Sequence, residues 1–164
     1  MDEWQTNHAK NAHTLLDKFV RMPGTQENGV IDALQLRGWI ADVRALAMKC
    51  DREEIVDNQI GKLTGSHSVS RHSPIVLEVL EEIGTESVLR GYELAVINGR
   101  GTTCRDPYDG GNQERELATQ FQAYSEEYRV RFPRVSALWE RLSNYYKRLA
   151  VREDEDAERM KLGR

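Results

Sequence analysis

Residues 96–115, VINGRGTTCRDPYDGGNQER, decide how this chain is read. On either side apolar residues recur at helical spacing. Here that spacing stops, and Gly99, Gly101, Gly110 and Gly111 stand among charges around Pro107. A connection of about 14 residues between helices exceeds the usual length, and such connections are functional or disordered. The stretch therefore predicts an all-α chain with one long Gly-rich inter-helix loop, and marks that loop as the first place to look for a binding surface.

Downstream, Asn112 can cap a helix whose first turn holds Glu114 and Glu116, where negative charge suits the dipole. Leu117, Phe121, Tyr124 and Tyr128 step along one face until Pro133 interrupts. A final helix carries Val135, Leu138, Trp139, Leu142, Tyr145, Tyr146 and Leu149 and dissolves from about Glu153 into a charged tail. Upstream, Thr85 caps a helix with Val88, Leu89, Tyr92, Ala95 and Val96 in line, and Asn98-Gly99 supplies left-handed residues to end it. Ser73 and Pro74 open a shorter one, with Ile75, Val76, Val79, Leu80 and Ile83 inward and Gly84 closing it.

Gly65–Ser73 is serine-rich without apolar period and reads as a flexible connection. Before it, Arg52 to about Leu63 forms a helix with Ile55, Val56, Ile60 and Leu63 inward. Asp32, three residues before Gln35, caps the preceding helix, which aligns Leu36, Trp39, Ile40, Val43, Leu46, Ala47 and Cys50. A first helix from about Asp2 to Met22 ends at Pro23-Gly24, and the only hint of strand is a brief pairing at Val30-Ile31. The expectation is a bundle of about seven helices: a single all-helical domain over residues 1–152, and a frayed tail over 153–164.

Composition narrows the function classes. A chain of 164 residues with 39% hydrophobic content buries a sizeable core, while 30% charged residues and a mean hydropathy of -0.66 suit amphipathic helices with wet outer faces. No apolar run approaches the roughly 20 residues that span a bilayer, and the N-terminus lacks the order of a signal peptide, so the reading is cytoplasmic with no membrane partner. Cys50 and Cys104 form no CxxC pair and read as reduced thiols. Net charge of -4 excludes a surface that is basic throughout, yet residues 129–152 hold seven basic side chains against Glu140 alone. Glu153, Asp154, Glu155 and Asp156 follow as a countercharge block able to screen that segment or fold back on it.

Pro23-Gly24-Thr25, Asp57 to Gly61 (DNQIG), Asn98-Gly99-Arg100-Gly101, Arg105 and Gly110 to Arg115 (GGNQER) together resemble the helical C-terminal region of large uncharacterised bacterial proteins. The resemblance spans nearly the whole chain. It implies an accessory or scaffolding module that works beside a larger partner or within a larger polypeptide.

Three functions compete for these residues. The first is a non-enzymatic protein-interaction or scaffolding module of a larger bacterial assembly, with no cofactor and no metal. The second is nucleic-acid binding through 129–152, where Arg129, Arg131, Arg134 and Arg148 would track phosphates and Tyr145 and Tyr146 would stack on bases. The third is anion or nucleotide binding by loop 98–115, with Arg100, Arg105 and Arg115 converging beside Asp106 at the start of the next helix. Against the third stands a loop held by its own hydrogen bonds, its arginines paired with Asp106, Asp109, Glu114 or Glu116. GRG is neither GxGxxG after a strand nor part of GxxxxGK[ST], and His67, His72, Cys50 and Cys104 lack zinc-ligand spacing.

Overall fold

The computed structural model describes residues 22–66, 72–101, 106 and 108–163. Among these are six helices: α1 (Ala33–Met48), α2 (Glu53–Ser66), α3 (Pro74–Ile83), α4 (Glu86–Asn98), α5 (Asn112–Tyr128) and α6 (Pro133–Leu162). The chain is all-helical there, and the helix expected over Asp2–Met22 lies outside the described residues apart from Met22. Most of the serine-rich connection does too, although α2 runs on to Ser66. By contact the described chain divides into two compact units, one reaching Val79 and resuming at Thr85–Gly99, the other comprising Leu80–Gly84 and everything from Arg100.

The first unit opens with a tight hairpin in place of a strand pair. Thr25 bridges Ile31, Gln26 N–H donates to the Val30 carbonyl (2.9 Å) and Asp32 N–H to that of Gly24 (2.8 Å). Gly24 is required here: its φ is +79°, and a Cβ would stand 2.8 Å from the Asp32 carbonyl oxygen. Asp32 then caps α1 by accepting from Leu34 and Gln35 N–H at 2.9 and 3.0 Å.

The sequence-predicted inner faces of α1 and α2 are only partly correct. Leu36, Ile40 and Ala47 are buried in α1, but Leu46 is 62% exposed and Cys50 is exposed as well. In α2, Ile60 and Leu63 are buried while Ile55 is 52% exposed, and the remainder of the buried face is Asp57, Gly61, Thr64 and Gly65. The reason is the approach of α4. A Cβ on Gly61 would collide with the Val88 carbonyl and stand 2.7 Å from Tyr92 N; one on Gly65 would lie 2.8 Å from the Tyr92 carbonyl; one on Gly91 would strike the Asn58 carbonyl. Glycine at these three points lets the two backbones touch, so no side chain stands between them there.

A buried carboxylate orients the pair. Asp57 accepts from Arg44 Nε (2.8 Å) and Nη2 (3.3 Å) of α1 and from the Thr85 hydroxyl (2.7 Å). That same hydroxyl accepts Val88 N–H and caps α4. At the other end of α4, Gly99 keeps a right-handed φ of -67° and it is Gly101, at +68°, that turns left-handed, two residues later than expected.

The second unit is a long antiparallel pair, α5 and α6, with aromatic rings in its seam. Phe121 stacks between Trp139 (centroids 5.5 Å apart) and Tyr146 (5.4 Å), and Tyr124 tilts against Trp139 at 5.6 Å. Small hydroxyls fill the narrower levels: Ser136 donates to the Ser125 carbonyl and Ser143 to that of Ala118, each at 2.8 Å. The α6 N-terminus has no cap of its own. Glu81 supplies it, its carboxylate accepting Arg134 N–H (2.9 Å) and Val135 N–H (3.1 Å).

α6 does not dissolve at Glu153. It continues unbroken to Leu162 with Ala157 buried, so residues 153–162 extend α6. Ala150, Asp154 and Ala157 extend the inner face by another two turns, and Arg159 and Lys161 place positive charge in the last turn, where the dipole favours it.

Candidate functional site

The glycine loop delivers the chain into α5 through Gly110 and Gly111. Gly110 has φ +62°, and Gly111 packs so closely on the Ala150 backbone that no side chain fits. Gly111 is the N-cap of α5 and has no side chain to serve as one. Asp154 of α6 takes that role: its Oδ1 accepts Gly111 N–H at 2.9 Å. Arg115, one turn into α5, grips the same carboxylate with Nη1 on Oδ2 (2.6 Å) and Nη2 on Oδ1 (3.3 Å), while Nη2 also donates to Asn112 Oδ1 (2.7 Å). The hydrogen bond from Arg115, then that from Gly111 N–H, holds the Asp154 carboxyl below the usual carboxylate range. Reciprocally, the bond to Asp154 raises the Arg115 guanidinium above its ordinary value.

Arg100 is fixed separately. Its Nη2 meets Glu114 Oε1 at 3.0 Å and Gln113 Oε1 at 3.3 Å, and its guanidinium lies 5.7 Å above the Tyr146 ring. Glu114, in the first turn of α5, is buried. Arg100, Gln113, Glu116, Leu117 and Gln120 line a shallow recess of about 490 Å³. Asp106 is exposed and engages its own loop, accepting Tyr108 N–H at 2.9 Å, and Arg105 lies outside the described residues. Arg100 and Arg115 therefore form their ion pairs with different carboxylates, Glu114 and Asp154. Glu114 was among the acids expected to pair with them. Asp154, distant in sequence, was not; it reaches Arg115 from within the unbroken helix α6, so the acidic block does not fold back on residues 129–152.

In the basic segment, Arg129 and Arg148 are exposed, as is Arg131, whose guanidinium sits 4.9 Å over the Phe132 ring. Arg134 is tied to the Glu81 carbonyl at 2.8 Å. Tyr146 is buried in the aromatic seam and so is closed to stacking on a base, while Tyr145 is half-buried and packs edge-on against it. Among the described residues no group of three or more His, Cys, Asp or Glu side chains is arranged to hold a metal; Cys104 and His67 lie outside them. No helix there is long and apolar enough to cross a membrane.

A second surface lies on the side of α1 opposite the buried Leu36, Ile40 and Ala47. Leu34, Gly38, Ala41, Ala45 and Met48 are all exposed, Leu34 at 84% and Met48 at 66%. Their spacing alternates four and three residues, which places them within one narrow arc of the helix. A Cβ added to Gly38 would meet nothing within 4 Å. Ala41 and Ala45 carried the signal, since a heptad of small residues bounded by two large ones is legible in the sequence.

Comparison with known proteins adds no name to either surface: no family model, curated protein or solved structure matches the chain.

Proposed function

We propose that this chain is a non-enzymatic helical interaction module that docks another protein of a larger bacterial assembly. The observation that carries this reading is the outward row Leu34, Gly38, Ala41, Ala45 and Met48 on α1. Two large apolar ends around a small-residue centre let a partner helix approach closely, and an exposed contiguous apolar face of this kind is characteristic of protein contacts. The residues behind the bacterial resemblance support a structural reading: Gly24, Asp57, Gly61, Gly110, Gly111 and Arg115 each hold a turn, a buried ion pair or a helix start. The test compares tagged wild type with an Ala41→Glu/Ala45→Glu variant, by light scattering and by co-purification from the native host. A partner or higher-mass species lost with the variant is expected; identical behaviour of the two proteins refutes the reading.

One observation favours nucleic acid as a second reading, namely exposed Arg129, Arg131 and Arg148 in a segment with a single acid, Glu140. Salt-sensitive retention of DNA or RNA, abolished by replacing all three with Glu, would establish it. Retention that is absent in the wild type, or unchanged in the variant, removes it. The anion reading of loop 98–115 has less support, because Arg100 and Arg115 already hold Glu114 and Asp154.

A further inference from the structure

α5 borrows its cap from a residue 43 positions downstream, and that loan ties together two segments that are weak on their own. The first turn of α5 follows a glycine pair and has no side-chain cap. Residues 151–162 of α6 carry four consecutive acids and a fifth, Glu158, toward the negative end of the helix dipole, an arrangement the dipole disfavours. Among the described residues beyond Ala150, Ala157 alone is buried, and Val151, Met160 and Leu162 are exposed. Asp154 ties this sparsely buried part of the helix to the start of α5. We propose that Asp154 is a conformational latch, through which the end of α6 and the start of α5 order and open as one unit while the aromatic seam stays closed.

The physical reason is reciprocity. If Asp154 stabilises the α5 start by accepting Gly111 N–H and pairing with Arg115, the α5 start stabilises the helical position of Asp154 to the same extent. Local opening in folded proteins follows such units, and the acidic end of α6 has the thin anchoring that places a segment at the low-stability end. Because Gly110 and Gly111 lack side chains, the Asp154 carboxylate and the Ala150 backbone can stand where a Cβ would be, so the contact is shaped as well as charged.

Amide hydrogen exchange on the full chain tests it with three variants. Asp154→Ala is expected to speed exchange roughly tenfold both in residues 111–115 and in residues 151–160, the size expected for losing a helix cap, with residues 135–147 unchanged as the folding control. Arg115→Gln is expected to speed exchange in residues 151–160 although it lies in α5. Asp156→Ala, which removes an acid paired only with Arg159 along α6, is expected to leave residues 111–115 untouched. If Asp154→Ala or Arg115→Gln loosens only its own helix, or if Asp156→Ala reproduces Asp154→Ala at the start of α5, the latch is refuted.

Discussion

The pairing of α2 with α4 and the pairing of α5 with α6 solve one problem in opposite ways. In the first, Gly61, Gly65 and Gly91 let backbone meet backbone at the closest points of the crossing. In the second, Phe121, Trp139 and Tyr146 fill the crossing with stacked rings. The lesson concerns tolerance. A ring seam can shrink and still exclude water, because its neighbours relax into part of the lost volume. A backbone seam has nothing that can yield, so any added atom must move a whole helix.

The sharpest way to break the contrast is Gly91→Ala. One methyl directed into the Asn58 carbonyl should cost about 3 kcal/mol, the upper end of the usual overpacking range, measured as a fall in the denaturation midpoint with an unchanged slope. Phe121→Ala, which removes many more atoms, should cost about 3–4 kcal/mol, and Phe121→Leu only about half as much. An alanine at 91 that is better tolerated than a leucine at 121 would erase the distinction. Next comes Asp57→Ala. It leaves Arg44 and the Thr85 hydroxyl without their shared acceptor and should cost about 2–3 kcal/mol, below the fully buried limit because the Arg44 side chain is 38% exposed.

The second unit has a charged seam as well, and pH sharpens that part. The folded Asp154 carboxyl is depressed, so its contribution is complete above the ordinary carboxylate range and disappears as pH falls through the lower folded value. Carboxyl-carbon NMR should show Asp154 titrating below an ordinary aspartate, and Arg115→Gln should move its midpoint upward. A midpoint indifferent to Arg115 would contradict the geometry. The smallest effect has the opposite sign to the first. Gly38→Ala adds a methyl into open space on an exposed helix and should stabilise the fold by about 0.5–1 kcal/mol. Alanine is thus expected to unfold one helical glycine and improve another.

Those two glycines mark the limit of what the sequence makes legible. Caps at Asp32 and Thr85, prolines at Pro74 and Pro133, the buried face of α4 and the aromatic row of α6 are local or periodic, and were readable at once. The inner face of α2 was not, because an apolar stripe counts greasy side chains and scores glycine as a weakness, so Ile55 was turned inward where Gly61 and Gly65 belong. Yet Gly61 and Gly65 are four apart, on one face, and that spacing was available. At the glycine loop the helix start at Asn112 was legible, but the partner of Arg115 was not. Nothing local links positions 115 and 154, and acids near a helix C-terminus argue for fraying until a distant guanidinium is there to hold one of them.

The glycine crossing also fixes a length. Where Gly61 faces Val88 and Gly91 faces Asn58, the hydrogen standing in place of Cβ points toward a peptide oxygen of the other helix, a weak C–H···O contact repeated in both directions. The spacing of α2 and α4 is thereby gauged by the thickness of the main chain and not by side-chain rotamers. Such a joint has no intermediate settings: it cannot slide by a fraction of a turn, and any signal crossing it would have to carry both rods together as a rigid yoke.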